Sequence, residues 1–139
     1  MAGTINFFNG DISFRLKQKR AIRKWIASVI LKAGSDFTEI SFIFCSDKYL
    51  LKMNRDYLNH DYLTDIITFS NGTKASVGGD IYISIDRVKE NAHLFHVTFD
   101  DELGRVMIHG ILHMLGYKDK RRKEVELMRK MENKMLALR

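Results

Sequence analysis

The stretch EISFIFCS, residues 39–46, is almost continuously apolar and rich in aromatic and β-branched side chains. Such a run is typical of a β-strand that is buried on both faces of a sheet. A helical pattern lies on each side of it. Apolar residues recur at helical spacing over residues 15–33, and Ser46 can cap a helix over residues 47–58. The stretch therefore predicts the central strand of an α/β layer.

The rest of the chain continues this alternation. Residues 4–8, 64–70 and 79–85 read as further strands, the last two joined by a glycine-containing loop. We expect that last pair to be antiparallel and both strand–helix–strand units to be parallel and right-handed. Further helices are predicted over residues 86–95, 99–115 and 123–138. The predicted fold class is α/β (α+β), with a small mixed sheet of about four strands packed with helices.

Helix boundaries and length complete this expectation. Gly34 and Asn59 are placed to end the first two helices, and Thr98 is placed to cap the helix over residues 99–115. A chain of 139 residues suits one hydrophobic core. Residues 1–139 are therefore expected to form a single domain.

Composition and charge restrict the partners and the compartment. The net charge of +6 favours anionic partners, nucleic acid first. No apolar run approaches membrane-spanning length, and the N-terminal residues lack a signal-peptide pattern, so we expect no membrane association and a cytoplasmic location. Cys45 is the single cysteine and lies in an apolar run. It is expected to fill the core rather than to act as a nucleophile.

The stretch HGILHMLGYKD, residues 109–119, contains the candidate metal ligands. On a helix, His109 and His113 share one face, about 6 Å apart along the axis. Asp119 would lie about 15 Å from His109 if the helix continued, but Gly116 can take the left-handed conformation that ends a helix. A bare HxxxH pair is more often incidental than a ligand pair. The glycine and the carboxylate, at a spacing known from metzincin-type sites, favour one divalent metal ion, and we expect zinc.

Gly110 bears on the class of reaction. H-E-x-x-H zinc proteases carry their general-base glutamate at this position. Glycine has no side chain to offer, which disfavours a metalloprotease. A non-haem iron oxygenase could use two histidines and a carboxylate, but nothing else in the chain indicates a cosubstrate site.

Three stretches in this order resemble the YbeY family of bacterial metal-dependent endoribonucleases, which are associated with ribosomal RNA maturation. They are MNRDYLNHDYLTDIITFS (residues 53–70), GGDIYISIDRVKENA (residues 78–92), and HGILHMLGYKD followed by KEVELMRKMENKML. The similarity covers roughly residue 38 to the end, whereas the N-terminal third agrees in size and pattern only. The resemblance implies a single-strand-specific endoribonuclease, a hydrolase acting in ribosomal RNA processing. It also implies that residues 1–139 form a single metal-binding, endoribonuclease-like domain. Its implied partners are RNA and the ribosome, with no small-molecule cofactor.

The chain departs from the family pattern at two positions. The family's usual third ligand is a histidine in a Tyr-Asp-His ending, but here Tyr117 is followed by Lys118 and Asp119. Aspartate is a competent zinc ligand, and two histidines with one carboxylate form catalytic sites elsewhere. Leu58 stands where the family commonly has an arginine that is thought to act in RNA cleavage or binding. Arg55, one helical turn earlier, could substitute for it or be a solvated surface charge.

Basic residues follow the metal motif directly. Lys118, Lys120 and Arg121 would line the approach of a phosphodiester, although such charge runs are more commonly solvated surface. No residue stands out as a catalytic group. Water activated by the metal and the RNA's own 2′-hydroxyl both remain open as the nucleophile.

One alternative belongs to a different functional class. The chain could be a ribosome-associated RNA-binding factor whose metal is structural and which does not catalyse cleavage. A structural zinc normally has four protein ligands. The candidates for a fourth ligand are His60, His93 and His96.

Overall fold

The computed structural model describes residues 3–139 and contains one mixed α/β domain. Within these residues, four strands form one sheet in the order β1-β2-β4-β3. The strands are β1 (Thr4–Asn9), β2 (Asp36–Cys45), β3 (Ile66–Ser70) and β4 (Ser76–Ser84). The helices are α1 (Lys19–Lys32), α2 (Asp47–Leu58), α3 (Ile85–Leu94), α4 (Phe99–Met114) and α5 (Arg122–Leu136). The predicted fold class and the mixed sheet are confirmed.

The sheet is parallel in its centre and antiparallel at one edge. β2 pairs in parallel with β1 and with β4, whereas β3 pairs antiparallel with β4. The prediction that both strand–helix–strand units are parallel was therefore wrong for the second unit, because β3 runs opposite to β2. The short loop between β3 and β4 makes them a hairpin, which requires opposite strand directions. β4, not β3, is the strand inserted beside β2.

Most predicted helix boundaries are confirmed. The Ser46 hydroxyl accepts a hydrogen bond from the Tyr49 backbone N–H at the start of α2, and Asn59 ends that helix in the left-handed conformation, with φ of 57°. α1 begins at Lys19 rather than at residue 15. Leu16 reaches the core from the segment before the helix, so its apolar spacing resembled one more helical turn.

The two faces of the sheet bury separate apolar clusters. On β3, Ile66 packs against the main cluster, whereas Ile67 belongs to a smaller one with Leu50 of α2 and Cys45. Because alternate residues of a strand point to opposite faces, α2 covers one face and α4 the other. Cys45 is fully buried, as predicted.

α4 occupies the middle of the main layer and contacts β3, β4, α3 and α5. The Thr98 hydroxyl accepts a hydrogen bond from the Asp101 backbone N–H and so caps α4, as predicted. Across residues 3–139, every helix is too short or too polar to cross a membrane.

Candidate metal centre

The side chains of His109, His113 and Asp119 converge where α4 ends. The two Nε2 atoms lie 3.0 Å apart, and Asp119 Oδ2 lies 3.1 Å from His113 Nε2 and 3.2 Å from His109 Nε2. A tetrahedral zinc with bonds of about 2.0–2.1 Å separates its ligand atoms by about 3.3–3.4 Å. The observed triangle is close to that size. Two imidazole nitrogens and one carboxylate oxygen thus fit a divalent ion and leave a coordination position open.

The turn at Gly116 brings Asp119 back to the histidines. Gly116 has φ of 104°, in the left-handed region that favours glycine. The Gly116 N–H donates to the His113 carbonyl and the Tyr117 N–H to the Leu112 carbonyl, each at 3.0 Å. This pair of bonds is a Schellman motif. The predicted break of the helix is therefore present, and it has the predicted consequence for Asp119.

A buried carboxylate on α5 orients one of the two imidazoles. Glu132 Oε2 lies 2.6 Å from His109 Nδ1. An Nδ1–H that donates to Glu132 leaves the Nε2 lone pair directed at the other two ligands. Burial alone would lower the pKa of His109, but the hydrogen bond and charge of Glu132 outweigh it and raise that pKa. Burial alone would raise the pKa of Glu132, but His109 and Arg105 lower it.

This carboxylate belongs to a buried network of charges. Arg105 Nη1 lies 3.3 Å from Glu132 Oε1, and the same guanidinium pairs with Glu102. Glu102 and Glu132 are each 2% exposed, so their charges are compensated inside the protein. The sequence carried one signal that Glu132 is buried and paired, because Glu132 lies on the helical face that buries Met128 and Met135. A charge on an apolar face requires a partner.

Gly110 is the point at which α4 comes closest to the sheet. A Cβ built on it would lie 2.9 Å from Ile66 Cδ1 and 3.1 Å from two side-chain atoms of Ile81. Gly110 therefore faces β3 and β4, and a glutamate there would have to enter the core. The structure thus explains why this position holds no general base.

The triad opens into a cleft of about 550 Å³. β3 and the segment before it form one wall, and α4 with the following loop forms the other. The lining residues are Leu58, Thr64, Asp65, Ile66, Ile67, Thr68, Ser70, His109, His113, Met114, Asp119 and Lys120. Burial raises the pKa of Asp65 despite the opposing charges of Arg105 and His109. The sequence analysis named neither Asp65 nor Glu132 as a site residue, although both lie close to His109.

The residues predicted to contact RNA are not gathered in one place. Lys120 lines the cleft of the triad. Lys118 and Arg121 are exposed on the same loop and lie outside the lining. Arg55 also lies outside it and forms an exposed ion pair with Asp61. Leu58, where the resemblance leads us to expect an arginine, does line the cleft.

The possible metal-binding group contains three donors, counting only residues 3–139. His60 lies elsewhere and stacks on Tyr62, with ring centroids 5.1 Å apart. His93 and His96 are exposed near the end of α3. These three histidines therefore do not supply the fourth ligand that a structural zinc would require.

Comparison with known proteins gives one consistent result. A family model described as Endoribonuclease YbeY matches residues 5–138. A Cytophaga hutchinsonii protein named Endoribonuclease YbeY is 54% identical, over 98% of this chain and 96% of its own. A Flavobacterium psychrophilum protein of the same name is 50% identical, over 94% of each chain. The match includes the N-terminal third, where the sequence alone had indicated agreement in size and pattern only.

A solved structure has the same fold. The solution structure of a Thermotoga maritima protein matches 97% of this chain and 88% of its own. The TM-score is 0.69 and the sequence identity is 27%.

Proposed function

Because the chain belongs to the Endoribonuclease YbeY family, we propose that it is a metal-dependent endoribonuclease that cleaves single-stranded RNA during ribosomal RNA maturation. The observation that carries this proposal is the triangle of His109, His113 and Asp119 in an open cleft. We propose zinc as the ion, the cytoplasm as the location, and the ribosome as the place where the RNA is met.

The chemistry divides between the ion and the protein. A divalent ion bound there would polarise a phosphoryl oxygen and lower the pKa of a coordinated water. By accepting the Nδ1–H, Glu132 would hold His109 in the tautomer that presents Nε2 to the ion. Lys120 offers a positive charge to the phosphodiester at the edge of the cleft. Asp65 lies in the wall of the same cleft.

Two attacking groups are compatible with this site. A water molecule would leave a 5′-phosphate or a 3′-phosphate, whereas attack by the RNA's own 2′-hydroxyl would leave a 2′,3′-cyclic phosphate. An RNA with a single 2′-deoxy residue at the cleaved position separates them, because it blocks only the second route.

The alternatives receive less support. An RNA-binding factor with a structural metal would need a fourth protein ligand, and the metal-binding group within residues 3–139 has three. A metalloprotease would need a general base, and Gly110 packs against Ile66 and Ile81 instead.

The proposal is tested by metal content and RNA cleavage measured on the same samples. Wild type is expected to bind about one zinc per chain and to cleave single-stranded RNA, and Asp119→Ala is expected to lose both. Asp56→Ala, an exposed carboxylate on α2, is the matched control and should keep both. Tight metal binding without cleavage would favour the RNA-binding factor. If wild type purified in the absence of chelator contains no metal, the metal-centre proposal is overturned.

A further inference from the structure

A second cleft, of about 520 Å³, lies beside the turn at Gly116. Its lining includes Lys32, Ser35, Lys74, Gly116 and Lys134. Three lysines line this basic cleft, and no carboxylate of residues 3–139 does.

The three lysines come from parts of the chain that are far apart in sequence. Lys32 is the last residue of α1, Lys74 lies in the loop between β3 and β4, and Lys134 lies in the last turn of α5. None of them forms an ion pair with a carboxylate within residues 3–139. Like charges gathered without counter-charges create a local positive potential that attracts polyanions.

The fold holds the backbone of Lys74 in place. The Ser35 hydroxyl donates to the Lys74 carbonyl, and the Asp36 N–H donates to the Ala75 carbonyl at 2.8 Å. The side chain then crosses the turn at Gly116. A Cβ on Gly116 would lie 2.7 Å from Lys74 Cε and 3.2 Å from Nζ. The glycine that returns Asp119 to the triad therefore also leaves room for the lysine.

The basic cleft and the metal cleft adjoin the same two loops. Ser70 and Asp119 line the metal cleft, whereas Lys74 and Gly116 line the basic cleft. Each pair has one residue at the β3–β4 connection and one in the loop after α4. A strand of RNA with one phosphate at the triad could therefore continue along these loops to the lysines.

We propose that the basic cleft binds the phosphodiester backbone of the RNA substrate beside the cleaved bond. This inference rests on the proposed function. Lys120 is the one cation that lines the metal cleft within residues 3–139, and Lys32, Lys74 and Lys134 would add three more along the path of the RNA.

The test is the salt dependence of RNA binding. The affinity for a fluorescein-labelled 12-nucleotide single-stranded RNA is measured by anisotropy, in chelator so that no cleavage occurs, at several salt concentrations. The variant is the triple substitution Lys32→Gln, Lys74→Gln, Lys134→Gln. The matched control is Lys24→Gln, Lys48→Gln, Lys89→Gln, which removes the same charge from exposed lysines outside both clefts.

The slope of log K against log salt is negative, and each phosphate contact contributes about −0.7 to it for single strands. Losing three contacts should therefore make the slope less negative by about 2. Affinity at low salt should fall about tenfold or more, and the control should change far less. In the zinc-loaded enzyme, KM should rise with kcat nearly unchanged. The single variant Lys74→Arg, which keeps the charge and the other two lysines, should bind RNA as wild type does.

Three results would overturn the inference. They are equal effects of the cleft variant and the control, an unchanged slope, and a wild type without RNA affinity. A cleft variant with unchanged RNA affinity but a lower melting temperature would also overturn it. Lys74 would then have a structural role, as a cation that stabilises the C-terminus of α4, whose carbonyls attract cations. Failure of the proposed function is recorded separately, as absence of metal or of cleavage in wild type.

Discussion

His109 Nδ1 lies 2.6 Å from Glu132 Oε2, so a candidate metal ligand on α4 is held by a carboxylate of α5 that is 2% exposed. The same carboxylate contacts Arg105, 3.3 Å away. Glu132 therefore serves the packing of the last helix and the orientation of a ligand at once. Partners of this kind typically contribute 10–100-fold to metal affinity.

Glu132→Ala is expected to weaken zinc binding by about 10–100-fold, because His109 loses the acceptor that sets its tautomer. It should also lower the free energy of unfolding by about 1–3 kcal/mol, since His109 and Arg105 each lose a buried hydrogen-bond partner while Arg105 keeps its ion pair with Glu102. Glu132→Gln keeps an acceptor oxygen for His109 and should bind zinc with an intermediate affinity. Competition with a chromophoric chelator measures the affinity, and urea denaturation measures the stability.

Glu126→Gln is the control on the same helix, because Glu126 pairs with Arg122 on the exposed surface. Its zinc affinity should equal that of wild type. The positioning role would be contradicted if Glu132→Gln and Glu132→Ala were both fully folded and both bound zinc as tightly as wild type.

Two glycines of α4 are expected to respond oppositely to alanine. Gly110→Ala places a methyl group 2.9–3.1 Å from Ile66 and Ile81 in the core, and such overpacking typically costs about 1–3 kcal/mol. Gly104→Ala meets mainly the guanidinium of Arg139, a flexible side chain. There the helix propensity of alanine, about 1 kcal/mol over glycine, should dominate.

Urea denaturation of both variants measures the difference. Gly110→Ala should be less stable than Gly104→Ala by at least about 1 kcal/mol. Equal stabilisation of the two variants would mean that α4 can move away from the sheet at Gly110.

The local part of the metal centre could be predicted because it lies in eleven consecutive residues. Helical spacing pairs His109 with His113, and the conformational freedom of Gly116 returns Asp119 to them. Both rules act within a few residues and do not depend on the rest of the fold. The almost continuous apolar run of β2, residues 39–46, was likewise sufficient to predict a buried central strand.

The remaining features depend on contacts between distant segments. Glu132 reaches His109 only because α5 packs on α4, and the periodicity of α5 indicates a buried charge without naming its partner. Local sequence does not decide whether β3 or β4 lies beside β2, because the two strands have similar compositions. The gathering of Lys32, Lys74 and Lys134 depends on three elements at once, so local patterns cannot predict it.

The ion pair between Asp47 and Arg87 is expected to make stability depend on acid pH. Asp47 Oδ2 lies 2.8 Å from Arg87 Nη2, and the Ser84 hydroxyl donates to Oδ1. Burial alone would raise the pKa of Asp47, but the hydrogen bonds from Arg87 and Ser84 outweigh it and lower that pKa. A carboxyl whose pKa is lowered by folding stabilises the protein above its unfolded pKa of about 3.9. That contribution is lost as pH falls through the folded pKa.

Asp47→Asn should therefore lower the free energy of unfolding by about 1–2 kcal/mol at pH 7 and by progressively less below pH 4. Asp61→Asn, in the exposed pair with Arg55, should change it by less than about 0.5 kcal/mol. Urea titrations between pH 3 and pH 7 measure both. A deficit of Asp47→Asn that is the same at pH 3 and pH 7 would contradict the expectation.

The single cysteine should be inert in the folded protein. Burial, together with the charges of Asp11, Asp47 and Asp86, raises the pKa of Cys45 to about 12. Its thiol donates to the Ile83 carbonyl, 3.4 Å away.

At pH 8 the thiolate fraction of Cys45 should be roughly a thousandfold below that of a free cysteine. The rate of reaction with an aromatic disulfide reagent should fall by the same factor. In concentrated guanidinium the same chain should react at the ordinary rate, with one thiol per chain. Fast stoichiometric labelling of the native protein would instead mean that α2 opens readily from the sheet, because Cys45 shares its small apolar cluster with Leu50 of that helix.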